Sequence, residues 1–128
     1  MTFKNKKIIL TGASSGIGLE LLRYLIENKA DVFAASRRQK EILADDEKMC
    51  QFDIIDLTNE SEVEQYVDRI TSSGGKIDIL INNAGVAQDL SLVEELGYEE
   101  FQSVIKDNVM TTFNMIKYVL PIMKKQNS

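Results

Sequence analysis

The sequence predicts an α/β domain built on a doubly wound parallel sheet. Three observations carry this: short β-like runs alternate with longer helical periods, a glycine-rich turn separates the first run from the first helical stretch, and no linker, repeat or low-complexity tract interrupts the alternation. Parallel strands joined by helices need this rhythm, because each crossover must carry the chain back across the sheet. The 128 residues, 44% hydrophobic and 27% charged, fit one domain over 1–128. A domain of this length buries roughly two-thirds of its unfolded surface, enough for a core without disulfides or metal.

The elements follow in order. Lys7 to Thr11 is the first strand, and after Gly12 to Ser15 a helix runs to about Asn28, with Ile17, Leu21, Leu22, Leu25 and Ile26 at 3.6 periodicity. Val32 to Ala35 is the second strand. Arg37 to Glu47 leaves room for a brief crossover helix before a third strand, Met49 to Ile54. Thr58 or Asn59 caps the next helix, whose apolar positions are Val63, Val67 and Ile70 and which ends at Ser72 to Gly75. Ile77 to Asn82 is the fourth strand. A long helix then runs from about Tyr98 toward Gln126, with Phe101, Val104, Ile105, Val109, Phe113, Ile116 and Leu120 expected inward and Pro121 loosening its last turn.

Composition removes several functions. One cysteine, Cys50, rules out an internal disulfide framework, and the absence of histidine leaves no Ser/His/Asp or Cys/His site and makes zinc improbable; no metal site is expected. Lys4, Lys6 and Lys7 precede an apolar run of only Ile8 to Leu10, too short for a signal peptide or membrane span, so the reading is cytoplasmic with no membrane partner. A net charge of -5 without a basic stripe gives no footprint for nucleic acid.

The stretch Thr11-Gly12-Ala13-Ser14-Ser15-Gly16-Ile17-Gly18 lies between strand and helix, where backbone N–H groups and the positive helix end can face a phosphate. Gly12 can take backbone angles closed to other residues, Gly16 permits close approach to a pyrophosphate, and Gly18 permits tight helix–strand packing. The alternative is a turn that merely reverses the chain; the strand–turn–helix context favours a dinucleotide site.

The spacing of Gly12, Gly16 and Gly18 resembles the Thr-Gly-x-x-x-Gly-x-Gly signature of short-chain dehydrogenases/reductases, and Asn82-Asn83-Ala84-Gly85 after the fourth strand resembles a second signature of that family. The resemblance covers essentially the whole chain. It implies a Rossmann-like sheet of strand order 3-2-1-4, broken off after the long helix, with a nicotinamide dinucleotide in the crevice beside strand one. It implies that Ser14, Ser15 and Ile17 line the loop with the glycines, Ser14 donating to the adenosine ribose or its phosphate. It also implies that Asn82 ties strands together while Asn83, Ala84 and Gly85 line the cofactor. Asp53 would accept from the adenine amino group and Ile54 would pack on the ring, although Asp53 could equally be a helix-entry residue, and Asp56 is assigned to capping.

NAD-binding members place an acid at the end of the second strand; here that position is Ser36, followed by Arg37 and Arg38. A guanidinium can hold a 2'-phosphate through paired, charge-assisted hydrogen bonds, so NADP(H) is preferred and NAD(H) remains possible. The alternative is that Arg37 and Arg38 are solvated residues entering a helix. A further NADP marker, a basic residue just before the middle glycine, is missing, since Ser15 stands there.

Family chemistry needs a Tyr that donates a proton to the carbonyl, a Lys four residues later that lowers the Tyr pKa, and a Ser that polarises the substrate oxygen. Tyr24, Tyr66, Tyr98 and Tyr118 are followed at that spacing by Asn28, Ile70, Gln102 and Ile122, so none matches. Only Asn108, whose family role is to position the Lys through a water, is matched as a catalytic residue. The expectation is therefore the cofactor-binding half of an oxidoreductase, inactive alone, with the catalytic Ser and Tyr beyond Ser128. A non-enzymatic NADP(H)-binding or oligomerisation module is the competing reading, and a remnant without ligand is the weakest. The resemblance further implies a homo-oligomer formed through the 98–126 helix or through the edge of strand four. Substrate and direction of reaction are not legible.

Overall fold

The protein is described by a computed structural model that covers residues 2–38, 49–72, 74–86 and 92–126. Four parallel strands, β1 (Lys7–Thr11), β2 (Asp31–Ser36), β3 (Gln51–Ile54) and β4 (Ile79–Ile81), form a sheet of order β3-β2-β1-β4. This is the Rossmann-like, doubly wound arrangement expected from the sequence. The expected crossover helix over 37–47 falls largely outside the described residues.

Strand alternation sorts the core into two layers. On β1, Ile9 points to one face with Phe33 and Ala35 of β2, while Ile8 and Leu10 point to the other with Val32 and Ala34. Both faces are covered, which is why β1 reads as a continuous apolar run rather than an alternating one. Helix α1 (Gly16–Glu27) covers the Ile8/Leu10 face through Leu19, Leu22 and Leu25. Helix α2 (Glu60–Thr71) covers the Ile9 face through Val63, Tyr66, Val67 and Ile70. Each fully buried Ile or Leu contributes roughly 1.5–3 kcal/mol, so the two layers supply most of the driving force for folding.

Asn59 is the cap of α2, its side chain accepting from the Glu62 N–H at 3.2 Å. Helix α1 ends where expected, at Asn28. Its buried face, however, is set by Leu19 rather than Ile17, which is 81% exposed in the first turn at the mouth of the glycine loop. β4 is shorter than the expected strand over 77–82. The side-chain amide of Gln126 occupies the Ile77 backbone instead, its Nε2 donating to the Ile77 carbonyl at 2.9 Å and its Oε1 accepting from the Ile77 N–H at 2.8 Å.

The long C-terminal helical stretch departs furthest from expectation. It consists of α3 (Tyr98–Ile105), a π turn (Lys106–Met110) and α4 (Thr111–Lys125), preceded by a 3-10 turn at Val93–Glu95. The side chains buried against α2 and the sheet are Met115 and Val119, with Thr111 and Asn114, and Tyr118, Ile122 and Met123 pack beside them. The stripe expected inward faces out: Phe101, Ile105, Val109, Phe113, Ile116 and Leu120 are all exposed, and only Val104 is half-buried. The reason is that this segment carries apolar residues on more than one face, and the wider π turn changes the phase between α3 and α4, so size of side chain did not identify the inner face. Asn114 is held inward by donating from Nδ2 to the Leu57 carbonyl at 3.0 Å. Pro121 sits inside α4 without ending it. Among the described residues no helix is long and apolar enough to cross a membrane.

Candidate functional site

At the carboxyl ends of β1, β2 and β4 three segments converge on one cleft of about 420 Å³. It is lined by Gly12, Ser14, Ser15, Ile17 and Gly18 from the loop, Ser36, Arg37 and Arg38 after β2, and Asn83, Ala84 and Gly85 after β4. This is the crevice that a doubly wound sheet opens where the strand order reverses. Leu57, Val86, Asp107 and Thr111 complete its walls. The sequence reading missed these four; only the adjacency of Asp107 to Asn108 carried a signal for one of them.

The glycines are where close approach requires them. Gly12 has φ +69, and a Cβ there would stand 2.7 Å from the Ala84 Cα. A Cβ on Gly18 would strike the Gly12 carbonyl and lie 2.5 Å from Asn83 Nδ2. The loop, the first turn of α1 and the segment after β4 are thus packed backbone to backbone. Ser15 caps α1 in an extended conformation but makes no side-chain cap bond, and the first turn carries no acid. With no side-chain cap among the described residues, the first-turn N–H groups stand at the positive end of the helix, and Ile17 and Gly18 of that turn line the cleft.

Hydrogen bonds fix the walls. The Thr11 Oγ1 accepts from the N–H groups of Asn83 at 3.1 Å and Ala84 at 3.0 Å, and Asn83 Nδ2 donates to the Gly12 carbonyl at 3.0 Å. It is Asn83, then, that ties β4 to the glycine turn, while the Asn82 Oδ1 is buried without a hydrogen-bond partner among the described residues. Ser36 Oγ donates to Ser14 Oγ at 2.7 Å and accepts from the Arg38 N–H at 3.3 Å, so the loop and the end of β2 are joined beneath the two arginines. Asn108, in the π turn, accepts from the Val86 N–H at 3.1 Å and donates to the Val86 carbonyl at 2.9 Å and the Val104 carbonyl at 2.8 Å. Its side chain is pinned to the segment after β4, and a Cβ on Gly85 would collide with it.

Other sequence-predicted residues lie apart from this lining. Gly16, with φ +55, faces open space. Asp53 reaches toward Arg69 at 3.8 Å, and Ile54 is 59% exposed at the end of β3. Among the described residues no cluster of three or more His, Cys, Asp or Glu could hold a metal ion.

The model of the short chain dehydrogenase family matches residues 6–128. The chain belongs to that family. An uncharacterised oxidoreductase of Staphylococcus saprophyticus is 34% identical over 129 residues, covering 98% of this chain and 52% of the relative. Among solved structures, a short chain dehydrogenase of Leptospira borgpetersenii with bound NAD+ superposes with a TM-score of 0.88 at 26% identity, over 98% of this chain and 48% of that one. A structure of ElxO with NADPH bound superposes with a TM-score of 0.84 at 27% identity, over 95% and 52%. The chain thus spans about half the length of the proteins it matches, and both kinds of nicotinamide dinucleotide occur among them.

Proposed function

We propose that this chain is the NADP(H)-binding portion of a short-chain dehydrogenase/reductase and does not turn over substrate by itself. The observation that carries the reading is the single cleft in which the glycine loop, Ser36-Arg37-Arg38 and Asn83-Ala84-Gly85 meet. The nicotinamide, when bound, supplies or takes up the hydride. The residues of this chain bind and orient it: Gly12, Ser14, Ser15, Ile17 and Gly18, with Gly16 supplying the loop conformation, surround the diphosphate. Arg37 and Arg38 receive the adenosine 2'-phosphate, and Asn83 to Gly85 hold the ribose side. Asp53 and Ile54 would serve the adenine after reorientation of the Asp53 side chain from Arg69. Asn108 acts here through Val86, holding the wall of the cleft. None of the four tyrosines carries a lysine four residues on, so proton delivery to a carbonyl has no agent among these residues.

The exposed stripe of α3 and α4 supports a homo-oligomer, since contiguous apolar faces of this kind mark protein contacts. A cytoplasmic setting accords with the lone thiol of Cys50. Calorimetric titration with NADPH and NADH, repeated on Arg37→Ala, tests the reading. NADPH binding that weakens at least tenfold in the variant supports it, and an unchanged NADPH affinity rejects the 2'-phosphate role. Retained binding without turnover, together with co-purification of a partner protein, would favour the non-enzymatic module.

A further inference from the structure

Arg37 does not stand alone at the cleft. It leaves the end of β2, and from the opposite wall Asp107, in the π turn between α3 and α4, brings its Oδ2 to 3.9 Å from Arg37 Nη1. Both residues line the cleft, and the Asp107 side chain is 22% exposed against 43% for Arg37. The backbone that carries Asp107 is not free to retreat, because the next residue, Asn108, is bonded to Val86 and Val104. A second carboxylate, Asp56, lies in the same field. Its acidity is strengthened first by the Thr58 hydroxyl, and Arg37 and Lys106 add to that. Asp56 is committed locally, however, accepting from the Thr58 hydroxyl at 2.6 Å and the Thr58 N–H at 3.0 Å. Asp107 is the acid that faces Arg37 across the opening.

We propose that Asp107 discriminates between the two nicotinamide cofactors: its carboxylate is a built-in counter-ion for Arg37 that competes with the 2'-phosphate of NADP(H), narrowing the preference for NADP(H) over NAD(H). The inference rests on Arg37 receiving the 2'-phosphate. An incoming phosphate must either displace the carboxylate from the guanidinium or share it at close range, and like charges brought together in a partly desolvated site repel strongly. NAD(H), with a hydroxyl at that position, meets no such repulsion. A cleft that carries two arginines therefore need not be strongly selective, because one of them is already partnered.

The test is calorimetric titration of NADP+ and NAD+ into the protein, Asp107→Asn, Asp107→Glu, Arg37→Ala and the Arg37→Ala/Asp107→Asn pair, at low and high salt. Asp107→Asn is expected to raise the ratio of NADP+ to NAD+ affinity about tenfold at low salt, less at high salt where screening weakens the repulsion. Asp107→Glu, which keeps the charge, should stay within about twofold of the parent, and the gain should vanish when Arg37 is already Ala. An unchanged ratio in Asp107→Asn, with Arg37→Ala still weakening NADP+, overturns the inference and leaves the cofactor reading standing. NADP+ affinity indifferent to Arg37→Ala overturns the 2'-phosphate role and the inference with it. Absence of binding in every form overturns both.

Discussion

Thr11→Val isolates the joint that closes the cleft. Thr11 is 1% exposed at the end of β1, and valine preserves its shape and strand preference, so packing is nearly unchanged. What disappears is one oxygen that accepts from two backbone N–H groups, those of Asn83 and Ala84. A buried N–H left without its acceptor costs about 1–3 kcal/mol. Because both groups are half-buried and can recover some hydration, the lower end applies to each, for a total of about 2 kcal/mol. Against a typical stability of about 5–15 kcal/mol this is a measurable fraction. Urea denaturation followed by far-UV circular dichroism reads it directly, as the chain has no tryptophan. The same variant should weaken NADPH binding, since the freed segment carries four residues of the cleft wall, Asn83 to Val86. A loss below about 0.5 kcal/mol, the scatter of an ordinary surface change, would refute the claim that this hydroxyl holds β4 to the glycine turn.

Further outcomes are expected. Gly18→Ala should abolish nucleotide binding and lower stability by about 2 kcal/mol or more, because its Cβ meets the Gly12 carbonyl and backbone must move; thermal melting with and without NADPH checks both parts. Asn114→Ala, removing a 1% exposed amide that donates to the Leu57 carbonyl, should cost about 1–3 kcal/mol in urea denaturation. Phe113→Glu with Ile116→Glu, on the exposed stripe, should leave the melting temperature of the monomer near that of the parent but abolish self-association in sedimentation; a parent that is itself monomeric at micromolar concentration refutes the interface. For pH, burial alone would raise the Asp78 pKa, yet the Lys7 N–H at 2.9 Å, Lys76 at 2.9 Å and Lys6 at 4.0 Å together hold it below the usual carboxylate range. A depressed folded-state pKa gives stability that is present above the unfolded value, near 3.9, and is lost as pH falls through the folded one. Asp78→Asn should therefore melt lower than the parent at neutral pH, and the difference should shrink on acidification below about pH 4.

Local chemistry was legible where one residue type has few options. β1 matched at both ends because an apolar run stops at a glycine that only a tight turn requires, and Asn59 and the α2 face followed from capping and period. The glycine loop, Ser36 with the two arginines, and Asn83 to Gly85 were all brought to one cleft. What could not be read depended on tertiary competition. Ile17 fits the α1 period by type, but the turn places it outside the sheet contact while Leu19 falls inside. On α3 and α4 two apolar faces were available, and the choice was made by Met115 and Val119 fitting against α2, by a π turn, and by the polar anchor of Asn114. A period count carries no term for any of these. The roles of Gln126 at Ile77 and of Asp107 opposite Arg37 join residues 49 and 70 positions apart in sequence, distances at which no spacing rule operates.

Among the described residues, the cleft is shaped by hydrogen bonds that join Thr11 to Asn83 and Ala84, Ser36 to Ser14 and Asn108 to Val86. A site held this way is preorganised, so binding need not first order its walls, and affinity is set by what the walls present to the ligand. Other features stand apart from it: among the described residues β4 pairs on one side only, the Asn82 oxygen next to it is buried without a partner, and the apolar stripe of α3 and α4 is exposed. An exposed edge and an exposed stripe cost solubility unless something covers them, whereas neither contributes to the cleft. Nucleotide binding and association should consequently separate under mutation: substitutions at Phe113 and Ile116 should alter assembly with NADPH affinity within about twofold, and Arg37→Ala the reverse. Loss of nucleotide binding in the stripe variant would mean that the cleft is completed by a neighbouring chain and that its internal bonds are insufficient.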